Sequence, residues 1–237
     1  MTMKFFIVFS IVALALPLFY APESAEAYSW KRTLKRGDTG ADVRELQIRV
    51  AGWAADRPAK THVAVDGVFG AQTEAAVKRF QRAYGLTVDG IVGPQTQAVL
   101  NSLEKSDGST KHFNWSEFYS KDGSGFSGGK VGAATVRENV RRMMWKLEAV
   151  RKKAGNSPVI INSGFRSVSH NSRVGGASNS MHMYGVAADI RVSGKTPTQV
   201  RSIVRTSGFS GSYAESTYNH IDSRIEYNYG SQFWYWR

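Results

Sequence analysis

Apolar residues recur at helical spacing in the first half of the chain. In the stretch "GDTGADVRELQIRV", Val43, Leu46 and Val50 fall on one face of a predicted helix. A second stretch around Phe80 has the same spacing. Pro94 stands where a third helix would begin, because the first helical position tolerates the missing N–H of proline. The pattern therefore predicts three short helices.

The same half contains a repeated segment. "VDGVFGAQTEAAVKRFQ" begins at Val65, and "VDGIVGPQTQAVL" begins at Val88, 23 residues later. Each copy combines an Asp-Gly turn, a further glycine and the start of a helix. Two copies are too few for a solenoid, so the repeat indicates a compact three-helix module.

The second half combines one long amphipathic helix with short strands. In "TVRENVRRMMWKLEAVRKKAG", Thr135 and Glu138 have the spacing of a capping box, and Gly155 is placed to end the helix. The apolar stripe of this helix, which we expect in the core, comprises Val136, Val140, Met143, Met144, Leu147 and Val150. "SPVIIN" and "GVAADIRV" predict buried strands, and "STYNHIDSRIEYNY" alternates as a further strand. The predicted fold class is a small all-α three-helix module followed by an α+β domain.

The boundaries of these parts follow from composition. Residues 1–27 have a positively charged start, an apolar run and a small-residue pattern that suits cleavage after Ala27, as in a signal peptide. The apolar run is shorter than the roughly 20 residues that span a bilayer. We expect the helical module at 28–103, a polar linker at 104–111 and the second domain at 112–237.

Charge and cysteine content restrict the surroundings and the chemistry. The formal net charge is +12, which favours polyanionic partners such as nucleic acid, anionic lipid or an anionic cell wall. Predicted export, and a sequence without a nucleic-acid-binding motif, favour the wall, so we expect no nucleic-acid partner. The chain has no cysteine, which excludes cysteine peptidases and cysteine-ligated zinc. We expect a monomer.

Candidate chemistry centres on "SMHMYGVAADI". Asp189 ends an apolar run, where burying an unpaired carboxylate is costly, and His182 precedes it by seven positions. His220 lies in "NHID", and on a strand it shares a face with Asp222. Two histidines and one carboxylate suit a catalytic zinc site, in which Asp222 could orient a ligand from behind. On spacing alone, a hydrogen-bonded core histidine is the alternative.

The text around these residues resembles the zinc D-Ala-D-Ala carboxypeptidases, which are relatives of the D-Ala-D-Ala dipeptidases and of the hedgehog signalling domain. The matching block runs from "SGFRS" through "SMHMYGVAADI" to "YNHIDSR", and "FNWSEFYSKDGSGF" extends it over about 112–237. The resemblance implies that His182, Asp189 and His220 bind Zn²⁺. It also implies that Arg166 contacts the substrate or its developing oxyanion.

The first half resembles the peptidoglycan-binding module of bacterial wall hydrolases. The matching text is "LKRGDTGADVRELQ", "VDGVFGAQTEAAVKRFQ" and "GLTVDGIVGPQT", over about 34–103. Together with the signal-peptide pattern at 1–27, the two resemblances imply a secreted, wall-associated zinc peptidase that binds peptidoglycan through its glycan strands or stem peptides and hydrolyses D-Ala-D-Ala or a related bond. Anionic wall polymers are further expected partners. The alternatives are an endopeptidase that cuts cross-links or L-Ala-D-Glu bonds, and a non-catalytic wall-binding protein.

The residue that moves protons is less well defined. Of the acids after residue 160, two are assigned to the metal site and Glu226 lies too far along the predicted strand. Glu215, five residues before His220, is therefore expected to act as general base and acid. His170 is the neutral alternative.

Two further patterns were weighed. Ser102 and Ser127 match S-x-x-K, the start of a serine mechanism, but the S-D-N and K-T-G companions are missing from the sequence. The aromatic tail "YNYGSQFWYWR" is expected to close the core and cover a sheet edge, with stacking on sugar rings as the alternative.

Overall fold

The computed structural model describes residues 28–235, so the predicted signal peptide at 1–27 lies outside the described residues. Within this part, the helices are α1 Ala41–Val50, α2 Ala71–Ala83, α3 Pro94–Asn101, α4 Ala133–Lys153, α5 Val168–Arg173 and α6 Pro197–Val204. The strands are β1 Val159–Ser163, β2 Ala187–Val192, β3 Gly211–Ala214, β4 Asn219–Asp222 and β5 Trp234–Tyr235. Across 28–235, no helix is both long enough and apolar enough to cross a bilayer.

Helices α1–α3 form the predicted N-terminal unit, and Pro94 occupies the start of α3 as expected. The sequence repeat corresponds to two equivalent Asp-Gly turns, each closed by a glutamine from the helix before it. Gln47 donates to Asp66 at 2.8 Å, and Gln81 donates to Asp89 at 2.8 Å. Each glutamine also accepts the N–H of the glycine in its turn, at 2.8 and 2.9 Å. The repeated unit is therefore a helix, the turn that follows it and the start of the next helix, so α2 belongs to both units.

The second domain is α+β. Its described strands form one sheet of order β1-β2-β4-β3-β5, in which β5 alone runs parallel to its neighbour. The six stripe residues of α4 are buried in the hydrophobic core between this helix and the sheet. Gly155, with φ of 78°, follows the end of α4 as predicted. The sheet and α4 thus provide a rigid support for the loops on the opposite face.

Three sequence-based expectations for this domain were wrong in detail. The capping box is absent, because α4 begins at Ala133 and Glu138 lies inside the helix, paired with Arg141 and Arg142. Strand β1 is only partly buried, since it lies at the edge of the sheet and Ile160 is 40% exposed. The strand predicted over "STYNHIDSRIEYNY" is confined to β4, because a 3₁₀ turn at Arg224–Tyr227 follows it.

The N-terminal unit packs directly on the second domain. Trp145 and Ala149 of α4 lie in the hydrophobic core of the N-terminal unit. Gly52 approaches α4 so closely that an added Cβ would lie 2.5 Å from the Cβ of Ala149. The segment at 104–111, expected to be a linker, forms a closed turn in which Ser109 and Thr110 are fully buried. Apolar burial therefore joins the two domains.

Candidate metal centre

Local structure brings the three predicted ligands to one face of the sheet. Asp189 lies in β2 directly opposite His220 in β4, and paired residues of antiparallel strands project to the same side. His182 lies in the 3₁₀ turn Met181–Tyr184 just before β2. Gly185 ends that turn with φ of 71°, a conformation suited to glycine, and returns the chain to the sheet.

The ligand atoms of these residues converge. Oδ1 of Asp189 lies 2.9 Å from Nδ1 of His220 and 3.3 Å from Nε2 of His182. The two histidine nitrogens are 3.2 Å apart. All three ligand atoms lie within 4.8 Å of one another, and all three residues are buried.

The remaining nitrogen of each imidazole explains why these atoms suit a cation. Nδ1 of His182 lies 2.6 Å from the carbonyl oxygen of Gly164, which can only accept, so Nδ1 carries the proton and Nε2 presents a lone pair. Nε2 of His220 faces Oδ2 of Asp222 at 3.8 Å, which directs Nδ1 toward the site. Two nitrogen lone pairs and a carboxylate, each with an orienting partner, are the donor set that fits Zn²⁺.

The electrostatics of the group are strongly shifted. Burial lowers the pKa of His182. Burial also disfavours protonation of His220, but the nearby carboxylates of Asp189 and Asp222 outweigh it and raise its pKa. For Asp189, burial is outweighed by the close contacts with the imidazoles of His182 and His220, which hold the pKa of this carboxyl well below its usual range. The carboxylate of Asp189 is therefore ionised at neutral pH.

Arg166 joins this group from the loop after β1. Its Nη2 donates to Oδ2 of Asp189 at 2.6 Å, and its Nε donates to Ser163 at 2.9 Å. The Arg166 backbone N–H donates to the carbonyl oxygen of His182, which ties the two loops together. The side chain of Arg166 is 17% exposed and borders the cavity at the site.

This cavity has a volume of about 590 Å³. Besides Arg166 and the three predicted ligands, it is lined by Tyr213 and Tyr218, which the sequence did not indicate, and by Trp234 of the aromatic tail. Tyr213 stacks on His220 with ring centroids 5.1 Å apart and an interplanar angle of 18°. Tyr218 precedes His220 by two residues, so strand alternation could have identified it, whereas Tyr213 lies in β3, which was not predicted.

The two candidate proton carriers are not among the described residues that line the cavity. Glu215 is exposed in the turn after β3, where its N–H donates to the carbonyl oxygen of Tyr218. Glu215 is near enough to affect Tyr213 in the cavity wall. Burial raises the pKa of Tyr213 to about 12, with smaller contributions from the charges of Tyr218, Asp189 and Glu215. His170 lies in α5, and its Nδ1 is buried without a hydrogen-bond partner. The assignment of the base stays a prediction.

Comparison with known proteins identifies the family. Residues 111–222 match the family model described as peptidase M15, and residues 39–100 match that of a peptidoglycan binding domain. The chain is 41% identical over 230 residues to the zinc D-Ala-D-Ala carboxypeptidase of Streptomyces albus G, covering 94% of this chain and 89% of that protein. The chain belongs to the peptidase M15 family. The match to the peptidoglycan binding domain associates this M15 peptidase with the bacterial cell wall.

Several expectations are thereby confirmed. The fold class is a helical peptidoglycan-binding domain followed by an α+β peptidase domain. The enzyme class is confirmed by the M15 match, and zinc as the metal agrees with the curated relative and with the His-Asp-His group.

Solved structures resemble this M15 peptidase over shorter stretches. The SleB N-terminal domain is 39% identical, covers 29% of this chain and 88% of that chain, and has a TM-score of 0.25. A peptidoglycan-binding protein from Clostridioides difficile, solved with glutamine hydroxamate, is 34% identical, covers 30% and 42% of the two chains, and has a TM-score of 0.26. Neither likeness extends over a third of this chain.

Proposed function

We propose that this protein is a zinc D-Ala-D-Ala carboxypeptidase that acts on bacterial peptidoglycan, with His182, Asp189 and His220 as the metal ligands. The observation that carries the proposal is the convergence of two oriented imidazole nitrogens and one carboxylate oxygen within 4.8 Å, at the wall of a cavity of about 590 Å³. The relative from Streptomyces albus G, 41% identical, is named for this activity.

The residues around the ligands have separable tasks. His182, Asp189 and His220 would hold Zn²⁺, which when bound would lower the pKa of a water and polarise a carbonyl oxygen. The carbonyl of Gly164 and the carboxylate of Asp222 orient the two imidazoles, as partners behind metal ligands do. Arg166 holds Asp189 and also borders the cavity, where its planar guanidinium can bind a terminal carboxylate or a developing oxyanion.

Glu215 is the proposed proton carrier. It lies in the short turn between β3 and β4, and the cavity-lining Tyr213 and Tyr218 flank this turn. Its exposed carboxylate can exchange protons with solvent, and it lies close enough to Tyr213 and Tyr218 for its charge to help raise the pKa of both phenols. His170, in α5, is the alternative carrier.

We also propose that the enzyme is exported as a monomer and held on the wall by its N-terminal unit. The peptidoglycan-binding domain match at 39–100 supports wall attachment. The net charge of +12 favours anionic wall polymers as additional partners. Export rests on the signal-peptide pattern at 1–27.

A second cavity favours a murein endopeptidase as the alternative function. It has a volume of about 490 Å³ and shares Tyr213, Arg224 and Trp234 with the cavity at the metal group. A cross-linked peptide continues on both sides of the bond that is cut, so it requires space beyond a single cavity. A carboxypeptidase requires space for only one terminal residue on the leaving side.

The test uses defined muropeptides and mass spectrometry of the products. Pentapeptide monomers, D,D-cross-linked dimers and L-Ala-D-Glu substrates are incubated with wild-type protein and with His182→Ala. We expect the wild type to contain zinc and release D-Ala, and His182→Ala to lose both while still binding cell walls. Unchanged hydrolysis in His182→Ala, or after EDTA, would refute the proposal.

The remaining outcomes separate the alternatives. Cleavage of dimers without release of D-Ala from monomers indicates an endopeptidase. Zinc and wall binding without any cleavage indicate a wall-binding protein. Inhibition by penicillin together with resistance to chelators indicates a serine mechanism.

A further inference from the structure

Strand β5 lies between the metal group and the N-terminal unit. It pairs in parallel with β3 at the edge of the sheet, with Trp234 next to Gly211. Successive side chains of a strand point to opposite sides. Trp234 points to the metal group, whereas Phe233 and Tyr235 stack on each other with centroids 6.4 Å apart. The two faces of the tail therefore make different contacts.

On the inner face, Trp234 contacts both a ligand and the partner of that ligand. Its ring stacks on His220, with centroids 5.8 Å apart and an interplanar angle of 29°. Its Nε1–H donates to Oδ2 of Asp222 at 3.2 Å. Asp222 is fully buried, and the same Oδ2 faces Nε2 of His220. Arg224 also donates to this Oδ2, at 2.6 and 2.9 Å, so Trp234 and Arg224 hold the carboxylate together while Trp234 alone of the two packs on the ring of His220.

The backbone of β3 provides the space that the indole needs. A Cβ added to Gly211 would lie 2.2 Å from Nε1 of Trp234 and 2.3 Å from its Cε2. Any larger residue at position 211 would therefore displace the ring. The close fit indicates a defined position for Trp234 and not a loose cover over the sheet edge.

We propose that Trp234 is a positioning residue of the metal centre, acting through Asp222 and His220. By packing on the imidazole and adding its hydrogen bond to those of Arg224 at Oδ2 of Asp222, it keeps Nδ1 of His220 directed at the ion. The inference rests on the proposed role of His220 as a metal ligand. It assigns to the aromatic tail a task beyond covering the sheet edge.

On the outer face, the N-terminal unit helps to hold this tail. The hydroxyl of Tyr235 donates to the carbonyl oxygen of Phe209 at 2.7 Å and lies 3.4 Å from that of Ala59. The ring of Phe233 lies 6.0 Å from that of His62. Ala59 and His62 belong to the loop between α1 and α2. The N-terminal unit therefore stabilises the segment that contains Trp234.

The experiment compares zinc affinity in full-length Trp234→Phe and Trp115→Phe. Trp115 is buried in the same domain and donates its Nε1–H to the carbonyl oxygen of Asp107 at 3.1 Å, so the control loses the same kind of hydrogen bond away from the metal group. Competition with a chromophoric chelator measures the Kd for zinc without substrate. We expect Trp234→Phe to weaken zinc binding about 10-fold or more, and Trp115→Phe to leave it unchanged.

A second pair of variants tests the position of the Trp234 ring while keeping the indole itself. Gly211→Ala displaces the indole, whereas Gly132→Ala places a Cβ with no atom within 4 Å. We expect the first to weaken zinc binding and the second not to. At saturating zinc, both Trp234→Phe and Gly211→Ala should lower kcat more than they change KM.

Unchanged zinc affinity in Trp234→Phe and Gly211→Ala would overturn the proposal, and so would a raised KM with normal zinc binding, which would make Trp234 a wall of the substrate cavity. If neither variant folds, Tyr235→Phe serves, with a several-fold loss of zinc affinity expected and unchanged affinity as the contrary result. A wild type that binds zinc in a Trp234-dependent manner yet releases no D-Ala would contradict the proposed function alone.

Discussion

Arg166 and Asp189 form an ion pair of 2.6 Å in which the arginine takes one carboxylate oxygen and leaves the other to the two histidines. The two oxygens of Asp189 therefore have different partners. This division places a fixed positive charge next to the metal group without occupying the oxygen that faces it. The arginine is thus positioned at the cavity by the same carboxylate that is a candidate ligand.

Substitution of Arg166 by lysine tests this arrangement. Lysine keeps the charge but loses the planar fork that can hold Asp189 and a substrate oxyanion together. We expect kcat/KM for D-Ala release to fall about 100-fold or more, with zinc content near that of the wild type. Steady-state kinetics and metal analysis of Arg166→Lys check this. Near-normal kcat/KM would reduce Arg166 to a structural ion pair.

The proton carrier can be identified with two matched substitutions. Glu215→Gln removes the carboxylate without changing its shape, and His170→Gln removes the imidazole. If Glu215 is the base, its substitution should lower kcat by about 100-fold or more, because general acid–base catalysis contributes a factor of that order. Zinc content should not change in either variant. The reverse ranking of the two variants would assign the role to His170.

The ion pair between Glu45 of α1 and Arg141 of α4 should make domain packing sensitive to acid. Two hydrogen bonds of 3.0 Å join these side chains. Burial opposes ionisation of Glu45, but Arg141 and then Arg49 outweigh it and lower its pKa below the ordinary 4.5. Because the folded pKa is lower than the unfolded one, the pair stabilises the fold above pH 4.5 and loses this effect as pH falls through the folded value.

Glu45→Gln should therefore lower the free energy of unfolding by about 1–2 kcal/mol at pH 7, since Arg141 keeps its contact with Glu138. The difference from the wild type should shrink as the pH is lowered to about 3. Thermal unfolding at both pH values checks this. An equal difference at pH 7 and pH 3 would contradict the role of the charge.

Gly52 tests the close packing of the domains. A Cβ at this position would meet Ala149 at 2.5 Å and the Cα of Lys146 at 3.0 Å, so α4 and the N-terminal unit would have to separate. We expect Gly52→Ala to cost about 1–3 kcal/mol of stability, as overpacking does. Gly70→Ala, whose Cβ would lie 4.0 Å from the carbonyl oxygen of Val68, is the control. Equal stability of the two variants would show that the interface can adjust.

Local patterns were sufficient for much of the fold. The helical spacing of Val43, Leu46 and Val50 predicted α1, and all three residues are buried. The stripe of α4 and its end at Gly155 were also predicted. Such features depend on residues within one or two helical turns of each other, so they can be read from the local sequence. The extent of β4 was overestimated because alternation continued past Asp222 while the chain turned.

The sequence repeat shows where local patterns stop. The Asp-Gly turns recur 23 residues apart, but the glutamines that close them, Gln47 and Gln81, are 34 residues apart. The spacing from Gln47 to Asp66 is 11 residues longer than that from Gln81 to Asp89, and part of the longer loop packs on the second domain. An unequal insertion hides the shared hydrogen-bonding scheme from any search for one fixed period.

By itself, the sequence determined which residues could supply chemistry: two histidines and a carboxylate in apolar surroundings, and an arginine nearby. Their types and flanking motifs express chemical properties that do not depend on the fold. Only the tertiary structure decided their neighbours: Trp234 against His220, Trp145 in the core of the other domain, and Glu215 outside the cavity lining. Those relationships depend on packing between segments far apart in the chain, which no local spacing encodes.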